Sequence, residues 1–114
     1  MAKVKIAIAT DGRKGLGDEV AEHFAKAETF TIVAIDGKKA HVEIMENPAA
    51  KLLKGRGPTV VRLLRDNGVN TVVAGGFGSG SLALLRQGGF CVARVQPKVK
   101  VSEVIRSELY KNTF

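Results

Sequence analysis

Hydrophobic and polar residues change their spacing several times along the chain, and each change marks an element. Residues 3–10 alternate, with Val4, Ile6 and Ile8 on one side and Lys5, Ala7 and Ala9 on the other. A period of two predicts a strand, and the alanines imply that its second face is covered as well. Residues 11–17 form a loop holding Gly12, Gly15 and Gly17. Over 18–27, Val20, Ala21 and Phe24 fall on one stripe at helical spacing, which predicts a short helix. Residues 28–35 are β-branched and aromatic and read as a second strand. Asp36-Gly37 is the dipeptide of a tight hairpin, and 40–46 alternates again as its return strand.

Residues 47–57 lack periodicity. Pro58 suits the first position of a helix whose buried stripe is Val60, Val61 and Leu64, and Asn67-Gly68 ends it. Residues 71–74 are a short apolar strand leading into Gly75-Gly76-Phe77-Gly78-Ser79-Gly80. Ser79 or Ser81 is then the cap expected for a helix over 82–87, which Gly88-Gly89 terminates. A fifth strand spans 90–95, its apolar pattern that of a central strand, with Cys91 as a small hydrophobe. Beyond Pro97, Val101, Val104, Ile105 and Leu109 mark one face of a last helix, followed by a loose end.

The order is β-β-β-α-β-α-β-α, and with no repeat or linker the expectation is one domain over 1–114. An antiparallel meander followed by right-handed parallel crossovers gives an α/β fold with a mixed five-stranded sheet ordered 3-2-1-4-5. The first, third, fourth and fifth strands then run the same way. Their carboxyl ends bring the loops 11–27, 47–57, 75–80 and 96–100 to one edge, where open α/β sheets bind ligands.

Charge adds to that picture. The formal net charge is +7 and the pI about 9.9, a field that attracts nucleic acid, acidic membrane surfaces, phosphorylated metabolites or anionic metal clusters. Seven basic residues fall on the loop edge: Arg13, Lys14, Lys51, Lys54, Arg56, Lys98 and Lys100. Two helices start there, directing their dipoles at it, and glycine lets backbone N–H groups approach a ligand. These features describe an anion site; the plain alternative is solvated loops with ordinary turn glycines. The single cysteine excludes an internal disulfide and an all-cysteine metal site within one chain. No apolar run has the length of a bilayer span, and the chain opens on a strand pattern, so the expectation is a cytoplasmic protein without a membrane partner.

Nucleotide motifs do not fit. Gly76-Phe77-Gly78-Ser79-Gly80-Ser81 has serine where a dinucleotide fingerprint needs its third glycine, and no Gly-Lys-Ser/Thr follows a P-loop spacer. His23 lies in the basic-edge region and is the one candidate metal ligand; packing is its alternative role. His41 reads as surface. Asp11 stands where metal-dependent nucleases of ribonuclease H type carry an aspartate, but the partner carboxylates that two metal ions require are missing. Asp11 is therefore expected to cap a turn. No nucleophile–base pair is evident, so an enzyme is not expected.

The same residues carry a resemblance. Lys5-Ile6-Ala7-Ile8-Ala9-Thr10-Asp11-Gly12, Val20-Ala21-Glu22-His23-Phe24, Glu46-Asn47-Pro48 and Gly57-Pro58 resemble the dinitrogenase iron–molybdenum cofactor biosynthesis family. So do Gly68-Val69-Asn70-Thr71-Val72-Val73-Ala74-Gly75-Gly76-Phe77-Gly78 and the helix ending at Gly89. The match runs in order through nearly the whole chain, which looks like a small stand-alone member. The resemblance implies a ribonuclease H-like fold without nuclease activity, and a carrier or assembly factor for an iron–sulfur or iron–molybdenum-type cluster. It further implies a cluster site lined by His23, by Gly75, Gly76, Phe77, Gly78 and Ser79, and by the segment holding Asn47, Lys51, Lys54 and Arg56. Asp11, Arg13 and Lys14 complete the expected cofactor-binding set, and a cluster donor or acceptor protein is the implied partner. The family's His-Phe-Gly reads His23-Phe24-Ala25 here, and Lys51 and Lys54 occupy a segment where many members carry histidine. Those lysines favour charge attraction over direct coordination. The competing reading is a nucleic-acid-binding module on an inactive ribonuclease H-like scaffold, using the same basic edge.

Overall fold

The computed structural model describes residues 4–113, with side chains from 4 to 107. Its elements are β1 (Val4–Thr10), β2 (Thr29–Asp36), β3 (Lys39–Glu46), α1 (Arg56–Asp66), β4 (Thr71–Ala74), α2 (Ser79–Gln87), β5 (Cys91–Arg94) and α3 (Val101–Thr113). The sheet order is β3-β2-β1-β4-β5, as the patterning predicts. The β1–β2 and β2–β3 pairs are antiparallel, and the β1–β4 and β4–β5 pairs are parallel. Gly37 adopts a φ of 64°, the left-handed backbone that the hairpin turn demands.

Alternation along β1 supplies two cores. Ala7 and Ala9 join Phe30, Ile32, Val72 and Ala74 under Val60, Val61 and Leu64 of α1 and Leu85 of α2. Ile6 and Ile8 join Val33, Ile35 and Val73 under Val101, Val104 and Ile105 of α3. Small residues on the first side let two helices close on the sheet, while branched residues fill the second side under one. Each fully buried large aliphatic chain contributes roughly 1.5–3 kcal/mol, so these two layers dominate stability. Among the described residues no helix is long and apolar enough to cross a membrane.

Four expectations need correction. Residues 18–27 are not helical: isolated bridges at Glu19 and Val20 lead across the end of the sheet into a turn at 24–26. Val20 N–H donates to Val99 (2.9 Å), Ala21 N–H to Ala9 (2.7 Å) and Phe24 N–H to Gly76 (3.0 Å), while Ala21 accepts from Gly75 (2.9 Å). Val20 thereby enters the α3-side core and Phe24 the opposite one. Cys91 is exposed, because β5 is an edge strand rather than a central one. Helix α1 begins two residues before Pro58, after Gly55 in the left-handed region. Helix α2 begins at Ser79 itself, and neither Ser79 nor Ser81 caps it with a side chain. The side chain of Leu109 and the final residue lie outside the described residues.

Candidate functional site

Two helix starts meet at the carboxyl edge. Helix α1 follows Gly55 and α2 follows Gly78, and neither start has a side-chain cap. First-turn N–H groups of a helix have no intrahelical acceptor, so both starts present donors and the positive ends of their dipoles. The two turns touch: a β-carbon on Gly57 would stand 2.8 Å from the hydroxyl of buried Ser81. In front of them lies an open basin of about 590 Å³. His23, Lys26 and Arg56 line it together with Gly76, Gly78 and Ser79, over a floor that includes Phe24 and Leu84. No lining residue is acidic. The Nε of Arg56 is buried without a hydrogen-bond partner, which marks an unmet demand for an acceptor.

Local structure holds this basin in place. The Asn47 amide donates to Ala25 (3.1 Å) and Ala27 (2.7 Å), and its oxygen accepts from Ala49 N–H (3.0 Å). Asn47 is thus a buried strut between the end of β3 and the His23 loop. Phe24 packs against Phe77 with ring centroids 5.1 Å apart. Gly75 accepts close approach: a β-carbon there would lie 2.8 Å from Pro97 and 3.0 Å from backbone atoms of Ala21 and Glu22.

The structure divides the predicted basic edge. Asp11, Lys14 and Lys98 line a separate hollow of about 370 Å³ with Asp18, Glu19 and Glu22, where the charges are mixed. Asp11 accepts from Glu28 N–H at 3.3 Å, a tie to the start of β2 rather than the local turn cap expected of it. Arg13 is ion-paired with Glu46, and Lys100 Nζ donates to Gly17 at 3.2 Å. Lys51 and Lys54 are exposed and do not line the basin. Phe77 faces a third hollow with Arg86 and Arg94. Thus His23, Arg56, Gly76, Gly78 and Ser79 come together, while Asp11, Arg13, Lys14, Asn47, Lys51, Lys54, Gly75 and Phe77 stand around them. Lys26 belongs to the basin and escapes sequence reading, because it sits in a turn over 24–26 and not on the helix expected there. Among the described residues no group of three His, Cys, Asp or Glu side chains is placed to hold a metal ion. His41 is exposed on β3.

Sheet order, crossovers and helix starts at the carboxyl edge define a small α/β protein of the ligand-edge type. Residues 3–109 match the model of the family described as dinitrogenase iron–molybdenum cofactor, and the chain belongs to that family. An uncharacterised protein of Methanocaldococcus jannaschii is 31% identical over 90 residues, which cover 78% of this chain and 72% of that one. The NMR structure of a Thermotoga protein, described there provisionally as a NifB protein, superimposes with a TM-score of 0.74 at 33% identity. That likeness covers 92% of this chain and 86% of the other. The apo form of the orange protein from Desulfovibrio gigas shares the fold, with a TM-score of 0.82 at 24% identity, over 94% and 88% of the two chains.

Proposed function

We propose that this chain is a non-catalytic, cytoplasmic carrier or assembly factor that holds an anionic metal–sulfur cluster, of iron–sulfur or iron–molybdenum type, in the basin between α1 and α2. Family membership supplies the cargo class, and one observation carries the location. Two uncapped helix starts, His23, Lys26 and Arg56 surround a single opening that no acidic residue lines. A bulky polarisable anion would accept from the first-turn N–H groups and give the buried Arg56 Nε an acceptor. His23 is the single side chain in this set with a metal-ligating nitrogen free of a competing role, so at most one protein ligand is expected per chain. Holding by charge and hydrogen bonds suits a transient cargo passed between a donor and an acceptor protein. The nucleic-acid alternative gains little: Phe24, Phe30 and Phe90 are buried, which leaves half-buried Phe77, itself packed on Phe24, as a lone stacking surface among the described phenylalanines.

Anaerobic reconstitution with iron, sulfide and molybdate tests the proposal. The expected result is a chromophore that survives desalting, weakens in Arg56→Ala and changes its absorption spectrum in His23→Ala. If no chromophore is retained, or if both variants match the parent, the basin is not a cluster site.

A further inference from the structure

Strand β3 forms a full-length edge of the sheet, and it is guarded unusually. Its partner β2 covers one side; on the other, alternate residues of the eight-residue strand present backbone groups that no strand pairs. Register settles which groups point outward. Asn47 N–H donates inward to Glu28, so the odd-numbered residues of the strand bond to β2 and the N–H and C=O groups of Ala40, Val42 and Ile44 face away. Val42 and Ile44 lie opposite Val33 and Thr31 on the α3 side of the sheet, and both are exposed, at 40% and 37%. Exposed Leu16 adds to this patch, since its neighbour Gly15 lies against Val42. His41 and Glu43 lie opposite Ala34 and Ile32 on the other face.

Charged residues on an edge normally discourage pairing with another chain. Here they match one another. A two-fold axis normal to the sheet through Val42 places Val42 opposite Val42 and Ala40 opposite Ile44 as hydrogen-bonded pairs. The same operation places His41 opposite Glu43 twice, on the other face. Moving the axis one residue on would set Glu43 against Glu43; moving it one residue back would set His41 against His41. The register one residue back still pairs Ala40 with Val42 and Lys39 with Glu43, but only the Val42-centred register joins apolar to apolar while giving both His41 and Glu43 an oppositely charged partner.

We infer that this protein self-associates reversibly through antiparallel pairing of β3 with β3 of a second copy, centred on Val42. The proposal stands apart from any cargo in the basin. It also has a geometric result: the axis reverses the sheet, so the two basins lie at opposite ends of the joined sheet and neither copy supplies a ligand to the other.

Sedimentation equilibrium of the whole chain, in reducing buffer so that exposed Cys91 stays free, gives the test. The expectation is a monomer–dimer equilibrium within reach at concentrations up to roughly 1 mM. Because each substitution enters the seam twice, Val42→Lys and Glu43→Lys should each raise the dissociation constant roughly tenfold or more. The double change His41→Glu with Glu43→Lys restores the cross-strand pairs and should recover most of that loss. All these positions are exposed, and unchanged circular dichroism spectra establish that the variants fold. Isotope-filtered nuclear Overhauser spectra of a mixed-label sample should show His41 Hα near Glu43 Hα of the other copy. A chain that stays monomeric over this range overturns the inference. So does a dimer indifferent to Val42→Lys, or a double variant as weak as Glu43→Lys alone.

Discussion

Asn47 shows how position and role part company at the level of one residue. Its place at the carboxyl end of β3 sets it among the ligand candidates, yet its amide is fully engaged with Ala25, Ala27 and Ala49. Its contribution is to hold the His23 loop in place. Asn47→Ala leaves two carbonyls without their donor, so unfolding in urea should show a loss of about 2 kcal/mol. Asn47→Asp keeps the bond from Ala49 but sets a carboxylate against two carbonyls, and should be at least as damaging. Single-residue chemistry was legible where the local element was read correctly. Arg56 follows from its position beside a helix start, and His23 from its place on the basic edge and from the family pattern, although its own segment was misread. Lys26 does not, because its direction depends on a segment whose shape the residues alone misrepresent. Cys91 is the reverse case: an apolar strand pattern says buried, and only the position of β5 at the end of the sheet exposes it.

At the scale of elements, the segment after the first loop is the instructive one. Val20, Ala21 and Phe24 are spaced as a helical stripe should be, but the stripe is coincidental. Val20 serves the α3-side core and Phe24 the other, which no helix of that length could arrange. A helix of about ten residues is marginal by itself, and here Ala9, Gly76 and Val99 offer backbone acceptors to a non-helical chain. Those acceptors come from distant parts of the sequence, so local pattern could not reveal them. The crossing depends on Gly75, whose missing β-carbon makes room for Pro97 and the backbone of Ala21 and Glu22. Gly75→Ala should cost about 2 kcal/mol of stability by thermal or urea unfolding, since backbone rather than a mobile side chain must yield. It should also shift the His23 and Phe24 resonances. By contrast Gly80, with open space where a β-carbon would go, should accept alanine with little change.

For the whole molecule, strand order was readable because its determinants are short-range: a tight hairpin, and crossovers of one hand. The common carboxyl edge of β1, β3, β4 and β5 follows from that order alone. What strand direction could not say is how loops divide the edge. It becomes a basin of cations beside a hollow of mixed charge, since Asp18, Glu19 and Glu22 face Lys14 and Lys98 in the second. The segment that separates them is shared by both cores, and this has a consequence for motion. Binding loops commonly belong to the parts of a fold that open first. Here the strip beneath the basin cannot lift without uncovering Val20 on one face of the sheet and Phe24 on the other. Native-state hydrogen exchange should therefore find the amides of Ala21, Phe24 and Gly75 as slow as those in the middle of β1, released only when the whole protein unfolds. Any yielding needed to load or discharge a cargo must then come from the opposite rim, around Gly55.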